Sequence, residues 1–289
     1  PMTSPTVGIL HPGEMGATVG ASARAVAPRV LWASEARSAQ TAARAAAAGL
    51  EDAGTLSSLV AASQIILSVC PPHSALDLAR VVAARGFRGI YVDANAVAPG
   101  TAREVARIVE AGGATFVDGG IIGPPARTRG TTRLYLSGAQ APAVAALFDR
   151  GPLEAIAIEG GPGAASALKM AYAAYTKGSS ALLVSIRAMA IHAGVDAALC
   201  AEWAKSQAGV EARSERAAGE TARKAWRFTG EMAEIAATFG EAGLPDGFFR
   251  AAETIYDSLA GYKDARETPS VVEVADALLK KRSPEDFTR

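Results

Sequence analysis

The chain has 289 residues, which is enough for two domains, and with 49% hydrophobic and 20% charged residues it has the composition of a globular protein. Lysine plus arginine and aspartate plus glutamate number 29 each, which argues against nucleic acid or an anionic membrane as a partner. The two cysteines and three histidines show no disulfide or metal-ligand spacing, so we predict no metal site. The apolar stretch 181–195 is interrupted by Arg187 and His192, which disfavours a membrane span, and we expect a cytoplasmic protein.

The first half of the chain alternates strand-like and helix-like segments. Short apolar or β-branched runs predict strands at 6–10, 29–33, 64–69, 89–93, 115–117, 133–137 and 154–158. Helical patterns predict helices at 14–26, 38–48, 74–84, 101–110 and 141–148. This alternation predicts a doubly wound parallel sheet, an α/β Rossmann domain, over residues 1–160.

The pattern changes at Gly160-Gly161-Pro162-Gly163. Proline is favoured at the start of a helix, and from there to about Gly194 only Gly178 weakens a continuous helical pattern. The rest of the chain, through Arg282, is typical of helices joined by short connections such as 240–246. We therefore predict a long interdomain helix and an all-α C-terminal domain over residues 161–289.

A glycine-containing turn follows the first predicted strand. The pattern G-x-G-x-x-G, which brings backbone N–H groups close to a pyrophosphate at a helix start, falls here on His11, Gly13 and Gly16. Histidine thus replaces the first glycine, but the strand before the turn and the helix after it are those of a dinucleotide site. The predicted cofactor-binding residues of the turn are His11, Pro12, Gly13, Glu14 and Met15.

The end of the second strand is expected to meet the adenosine ribose. Ser34, Arg37 and Ser38 suit a 2′-phosphate, whereas Glu35 would favour a free 2′-hydroxyl unless it points to solvent. This set favours NADPH (or NADP) over NADH.

Two further segments end parallel strands and should line the same crevice. Cys70, Pro71 and Pro72 follow the strand 64–69, and Asn95 follows the strand 89–93. We predict cofactor contacts for all four residues, although a turn asparagine also serves to cap or to tolerate unusual dihedral angles.

Three segments, in chain order, resemble the β-hydroxyacid dehydrogenase and 6-phosphogluconate dehydrogenase superfamily. They are the turn at 7–16, the segment Asp118-Gly119-Gly120-Ile121-Ile122-Gly123-Pro124, similar to that family's substrate-anion loop, and 163–169, similar to its catalytic-lysine segment. Residues 226–245 also resemble a subgroup whose C-terminal domain has no settled function. The resemblance implies a Rossmann domain, a long interdomain helix, an all-α domain, and a homodimer with shared active sites.

The resemblance implies that Lys169 is the catalytic lysine, and a positioned lysine is a suitable general acid for carbonyl reduction. Helical spacing puts Tyr172 on the same face, where it would orient the substrate or donate a proton. Ile122, Gly123 and Glu231 are further candidates for substrate binding, and Asn95 for a catalytic contact. Lys177 lies roughly 80° round the helix and is expected to be structural or solvated.

Several positions depart from the family pattern. Asn95 stands where a serine is usual, Ile122 replaces the serine of the anion loop, and Tyr172 and Ala173 stand where an asparagine is expected. The late lysine–aspartate pair is replaced around Gly230 and Glu231. The set that binds a carboxylate is therefore altered, which disfavours a plain 3-hydroxy carboxylate as the substrate.

The sequence thus predicts an NADPH-dependent oxidoreductase that transfers hydride between nicotinamide and a small hydroxy/carbonyl substrate. One alternative is an imine or ketimine reductase on the same scaffold, suggested by Tyr172 one turn from Lys169. The other is a non-catalytic NADPH-binding protein, suggested by the missing serine and asparagine.

Overall fold

A computed structural model describes residues 5–263 and 265–280. The chain divides into two compact units, Pro1–Met170 and Ala171–Arg289. The predicted fold class, an α/β Rossmann domain followed by helices, is confirmed. The predicted domain boundary at residues 160 and 161 stays a prediction.

One sheet forms the centre of the first unit. Its described strands are β1 (Val7–Ile9), β2 (Val30–Trp32), β3 (Glu51–Asp52), β4 (Ile65–Ser68), β5 (Ile90–Asp93), β6 (Thr115–Ile122), β7 (Arg133–Ser137) and β8 (Glu154–Ala157). The strand order is β3-β2-β1-β4-β5-β6-β7-β8, and all neighbours are parallel except β6 and β7. The direction of winding reverses between β1 and β4, and ligands of open α/β sheets bind outside the strand ends at such a point.

Helices cover both faces of this sheet. They are α1 (Glu14–Ala23), α2 (Ala39–Ala47), α3 (Leu56–Ala62), α4 (Ala75–Ala84), α5 (Pro99–Ala111) and α6 (Ala141–Ala145), with 3₁₀ turns at Pro72–Ser74 and Ala146–Phe148. Ile66 and Leu67 are adjacent in β4 and fully buried, yet they belong to different hydrophobic clusters. Since successive strand residues point to opposite faces, β4 is packed on both sides, which explains its uninterrupted apolar sequence.

The sheet differs from the prediction in three ways. β6 pairs antiparallel with β7, because the connection 123–132 is too short for the crossover that a parallel pair requires. β6 also continues to Ile122, five residues beyond its predicted end, since its second half pairs with β7. β3 and α3 were not predicted, because β3 is two exposed acidic residues and α3 has only seven residues.

The second unit is helical in its described part. α7 (Ala164–His192) begins in the first unit and continues into the second, which then contains α8 (Asp196–Ser206), α9 (Val210–Glu241), α10 (Gly247–Leu259), a 3₁₀ turn at Ala260–Tyr262 and α11 (Val271–Lys280). α7 ends at His192, and Gly194, two residues later, has a φ of 71°, the left-handed conformation that glycine adopts after a helix. The predicted helical extent through Arg282 ends outside the described residues.

Arg187 holds α7, α8 and α9 together inside the second unit. Its Nε and Nη2 donate to the two carboxylate oxygens of Asp196 at 2.6 and 2.9 Å, and its Nη1 donates to Ser214 Oγ at 2.8 Å. Because the guanidinium is satisfied in this way, a buried arginine is tolerated in a largely apolar helix. Within residues 5–263 and 265–280, no helix is both long and apolar enough to cross a membrane.

Candidate cofactor and active site

In the turn between β1 and α1, the first residues of the helix pack closely against the backbone of His11. Gly13 is the N-cap of α1, and its N–H donates to the carbonyl oxygen of His11 at 2.8 Å. A Cβ on Gly16 would lie 2.1 Å from the same oxygen, so only glycine fits there. A Cβ on Gly13 would meet only the His11 ring, at 3.3 Å. The turn therefore presents backbone N–H groups at a helix N-terminus, the arrangement that binds pyrophosphate.

The other predicted residues of this turn differ in what their side chains do. Pro12 is buried, and Glu14 is exposed in the first turn of α1. Met15 is partly buried and packs against the hydrophobic core. His11 does not have a positive φ, since Ala36, at 57°, is the one non-glycine residue in the described chain that does. The first glycine of the pattern is thus not required by backbone conformation here.

The segment after β2 brings Arg37 back onto this turn. Arg37 Nη1 lies 3.0 Å from His11 Nδ1, and Arg37 Nη2 donates to the carbonyl oxygen of Leu10 at 3.2 Å. Burial, and then the positive charges of Arg37 and Arg44, lower the pKa of His11 below its ordinary value. The imidazole is therefore neutral near pH 7 and is able to accept a hydrogen bond from Arg37.

The remaining residues of this segment cap helices or hold the loop. Glu35 Oε2 accepts from the N–H of Leu56 at the start of α3, and Ser38 Oγ accepts from the N–H of Thr41 at the start of α2, both at 3.2 Å. The N–H of Ser34 donates to Asp52 Oδ1, also at 3.2 Å. The carboxylate that would favour a 2′-hydroxyl is thus engaged at the start of α3.

A cavity of about 310 Å³ lies at the carboxyl end of the sheet, beside the reversal between β1 and β4. Four predicted cofactor residues line it, namely His11, Arg37, Cys70 and Pro71. The other lining residues are Ser74, Asp77, Leu78 and Val81, in or just before α4. The lining thus combines apolar side chains with one guanidinium, one imidazole and one carboxylate. Pro72 begins the 3₁₀ turn beside this cavity but is not among its lining residues.

Asn95 joins the ends of β4 and β5. Its Oδ1 accepts from the N–H of Cys70 at 2.6 Å, and its Nδ2 donates to Ser68 Oγ at 3.1 Å. Its own N–H donates to Asp93 Oδ1 at 3.0 Å, and only 2% of the residue is exposed. Burial, and then the negative charge of Asp93, raise the pKa of the Cys70 thiol to about 12. Asn95 therefore fixes the loop that carries Cys70, and a direct contact with cofactor or substrate stays a prediction.

Asp118 caps the N-terminus of α7, a role that the sequence did not indicate. The fully buried carboxylate accepts from the N–H groups of Gly163 and Ser166 at 3.0 and 2.9 Å, and from Ser166 Oγ at 2.6 Å. Burial raises the pKa of Asp118, against the effect of these hydrogen bonds. Ser137 Oγ adds a bond from the N–H of Ala165 at 3.1 Å. The first turn of the helix that carries Lys169 is thus held from β6 and β7.

Because Gly120 has no side chain, the backbone of β6 lies directly against the backbone of α7. A Cβ on Gly120 would lie 2.7 Å from the carbonyl oxygen of Ala165 and 2.9 Å from Lys169 Cβ. Lys169 itself is half-buried. Gly120, in the segment at 118–124, therefore lies directly against the predicted catalytic lysine. In the same segment Ile122 is buried in β6, and Gly123 is exposed with a φ of 125°.

The predicted substrate residues Tyr172 and Glu231 belong to the second unit. Tyr172 is 49% exposed on α7. Glu231 Oε2 lies 2.8 Å from Lys177 Nζ, and this ammonium is also 4.9 Å from the centre of the Phe228 ring. The Tyr256 hydroxyl donates to the carbonyl oxygen of Lys177. Lys177 is thus enclosed by an ion pair and an aromatic face, consistent with the structural role expected for it.

The chain is similar to one family model and to one curated protein. Residues 190–259 match the model of a family described as a domain of unknown function, DUF1932. An "Uncharacterized 28.5 kDa protein in 7S RNA 5'region" of Methanothermus fervidus is 35% identical over 138 residues, which are 47% of this chain and 52% of that protein. The chain thus matches about half the length of this curated relative.

Among solved structures, the conserved protein MTH1747, of unknown function and described as similar to 3-hydroxyacid dehydrogenases, is 27% identical. It has a TM-score of 0.69, with 89% of this chain and 98% of that chain covered. The 3-hydroxyisobutyrate dehydrogenase of Mycobacterium tuberculosis, solved with L-serine, is 16% identical with a TM-score of 0.70, covering 97% and 100%. The reductive aminase of Aspergillus terreus, solved with NADPH and ethyl levulinate, is 18% identical with a TM-score of 0.55, covering 95% and 99%. The predicted resemblance is confirmed at the level of fold: the chain has the fold of the 3-hydroxyacid dehydrogenases, and its residues 190–259 match the DUF1932 model.

Proposed function

We propose that the chain is an NADPH-dependent oxidoreductase acting on a small hydroxy/carbonyl substrate. The observation that carries this proposal is the glycine-containing turn from His11 to Gly16, whose His11 lines a cavity together with the adjacent Arg37. The turn supplies backbone N–H groups for a pyrophosphate, and Arg37 supplies a cation for a 2′-phosphate. When bound, NADPH supplies the hydride.

Lys169 is the proposed general acid and base. It is half-buried beside Gly120, on a helix turn whose position is held by Asp118. A lysine held in this way is able to give a proton to the oxygen of a carbonyl substrate and to take it back in the reverse direction. The proposed substrate-binding residues are Tyr172, Ile122, Gly123 and Glu231. Asn95 positions the loop that carries Cys70.

The experiment compares wild type with Lys169→Ala. We expect the variant to bind NADPH with an unchanged dissociation constant but to lose at least about 100-fold in turnover across a panel of aldehydes and ketones, since general acid–base catalysis contributes about that much. Lys205→Ala is the matched control, because Lys205 is an exposed lysine on α8 and is not one of the proposed site residues. Equal turnover in Lys169→Ala and wild type would contradict the assignment.

An imine reductase is the second candidate, and the exposed Tyr172 favours it. A tyrosine one turn from Lys169 provides a second proton donor, which protonation of an imine nitrogen would use. NADPH oxidation that needs an amine in addition to a ketone would identify this activity, whereas oxidation with the ketone alone would support the first proposal. NADPH binding without turnover on either panel would indicate the non-catalytic alternative.

We also propose that the chain acts as a homodimer through α7. Four large apolar side chains of this helix are exposed, at 49% (Tyr172), 69% (Tyr175), 45% (Leu182) and 57% (Met189). Their spacing of three, seven and seven residues puts them on one seam, as in helices that pair with one another. Analytical ultracentrifugation of wild type and Leu182→Glu tests this. We expect a dimer and a monomer, respectively, and a wild-type monomer at every concentration would contradict the proposal.

A further inference from the structure

His11 occupies the first glycine position of the turn and is bonded to the arginine proposed to meet the cofactor phosphate. We propose that His11 is a positioning residue for Arg37 and that it sets the preference of this site for NADPH over NADH. This inference rests on the proposed function, because it concerns the same dinucleotide site. It adds to that function a reason why the motif departs from glycine at this position.

The geometry fixes the guanidinium from two sides. His11 Nδ1 and the carbonyl oxygen of Leu10 each face one terminal nitrogen of Arg37, at 3.0 and 3.2 Å. A guanidinium has five N–H donors, so three remain for a ligand. His11 and Arg37 both line the 310 Å³ cavity, and the ligand is therefore met by an arginine that is already held in place.

This pre-positioning matters because an arginine side chain is long and loses conformational freedom when it binds a ligand. If that freedom is already restricted in the unbound protein, less is lost on binding, and the affinity for the phosphate rises. A glycine at position 11 would leave the backbone turn possible but would remove the acceptor. The backbone of residue 11 does not need glycine, so the chain gains the acceptor without strain.

The charges around His11 keep its ring neutral, so that Nδ1 is able to accept a hydrogen bond from Arg37. Nδ1 accepts only when the ring is neutral with its proton on Nε2. Arg37 and Arg44 are the cations that act on the ring, and together with burial they lower the pKa of His11. Asp77 is the one carboxylate among the residues that line the cavity. Glu35, which would compete for Arg37, is engaged with the N–H of Leu56 instead.

The test measures dissociation constants for NADPH and NADH by isothermal titration calorimetry on the full chain. His11→Gly and His11→Phe remove the acceptor, and the phenylalanine variant keeps the ring. His11→Asn keeps an acceptor oxygen close to the position of Nδ1. We expect both acceptor-less variants to bind NADPH about tenfold more weakly, the effect of one hydrogen bond to a charged group, with NADH binding changed less than about twofold. The dissociation constant of His11→Asn for NADPH should stay within about threefold of the wild-type value.

A double-mutant cycle separates positioning from a general structural role. In an Arg37→Ala background, His11→Phe should cause no further loss of NADPH affinity, because the residue that His11 positions is gone. Wild-type NADPH/NADH ratios in both His11→Gly and His11→Phe would overturn the inference while leaving the proposed function intact. An equal loss in both backgrounds would also overturn it. A wild-type chain that binds neither dinucleotide would overturn the proposed function and this inference with it.

Discussion

Replacing Gly120 by alanine tests how the strand β6 holds the helix that carries Lys169. The new Cβ would lie 2.7 Å from the carbonyl oxygen of Ala165 and 2.9 Å from Lys169 Cβ, whereas ordinary contact begins at 3.4 Å. Neither atom is the far end of a flexible side chain, so the strand and helix must separate by about 0.5–0.7 Å. The change therefore acts on the position of Lys169 as well as on packing.

Overpacking of this kind destabilises the folded state by about 1–3 kcal/mol. Replacing glycine by alanine also reduces the conformational freedom of the unfolded chain, which offsets at most about 1 kcal/mol of this loss. We therefore expect Gly120→Ala to lower the free energy of unfolding by about 2 kcal/mol. Urea denaturation in a Trp203→Phe/Trp226→Phe background measures this change, because the fluorescence then comes from Trp32, which is buried in the first unit. Turnover should fall at least about tenfold, because misplacing a catalytic group by about 1 Å costs up to about 100-fold.

Gly161→Ala is the matched control for Gly120→Ala. Gly161 is also close to the start of α7, but a Cβ there would have nothing within 4 Å, and its φ is not positive. We expect the free energy of unfolding of this control to stay within about 0.5 kcal/mol of wild type. Equal stability and turnover in the two variants would refute the conclusion that β6 holds α7 through Gly120.

Two further predictions concern the cofactor side of the sheet. Gly16→Ala places a Cβ 2.1 Å from the His11 carbonyl oxygen and should therefore abolish NADPH binding and lower the melting temperature. Gly13→Ala is the control and should leave the melting temperature of the unliganded chain nearly unchanged. Equal melting temperatures of the two variants would contradict this prediction. With a pKa of about 12, Cys70 should react with iodoacetamide at pH 8 about 30-fold more slowly than an ordinary thiol, measured in a Cys200→Ser background. Its rate should climb about tenfold per pH unit up to the pKa, and a plateau near pH 9 would show that burial does not control this thiol.

Much of the cofactor side was predictable because its signals are local. Gly13 and Gly16 lie three residues apart between a strand and a helix, and their spacing alone indicates the turn. The pairing of His11 with Arg37 joins residues 26 positions apart and depends on how β2 lies beside β1. No pattern in either segment carries that information, so the pairing emerges only from the fold.

The proposed catalytic side was indicated in the sequence only through the family resemblance. Asp118 caps a helix that begins more than 40 residues later, and its partner Ser166 is 48 positions away. The antiparallel turn from β6 to β7 was missed because residues 118–122 include two glycines, which interrupt the strand pattern. The pairing of Glu231 with Lys177 joins α9 to α7, and a single sequence does not indicate which residues of two helices face each other.

Titration of the wild-type chain with NADPH and with NADH is the decisive test of the proposed dinucleotide site. We expect saturable binding of one NADPH per chain, with enhanced nicotinamide fluorescence and a lower dissociation constant for NADPH than for NADH. Arg37→Ala should remove most of that difference, because the difference depends on the 2′-phosphate. Absence of binding to either dinucleotide at about 1 mM, a concentration that detects even weak sites, would contradict the account.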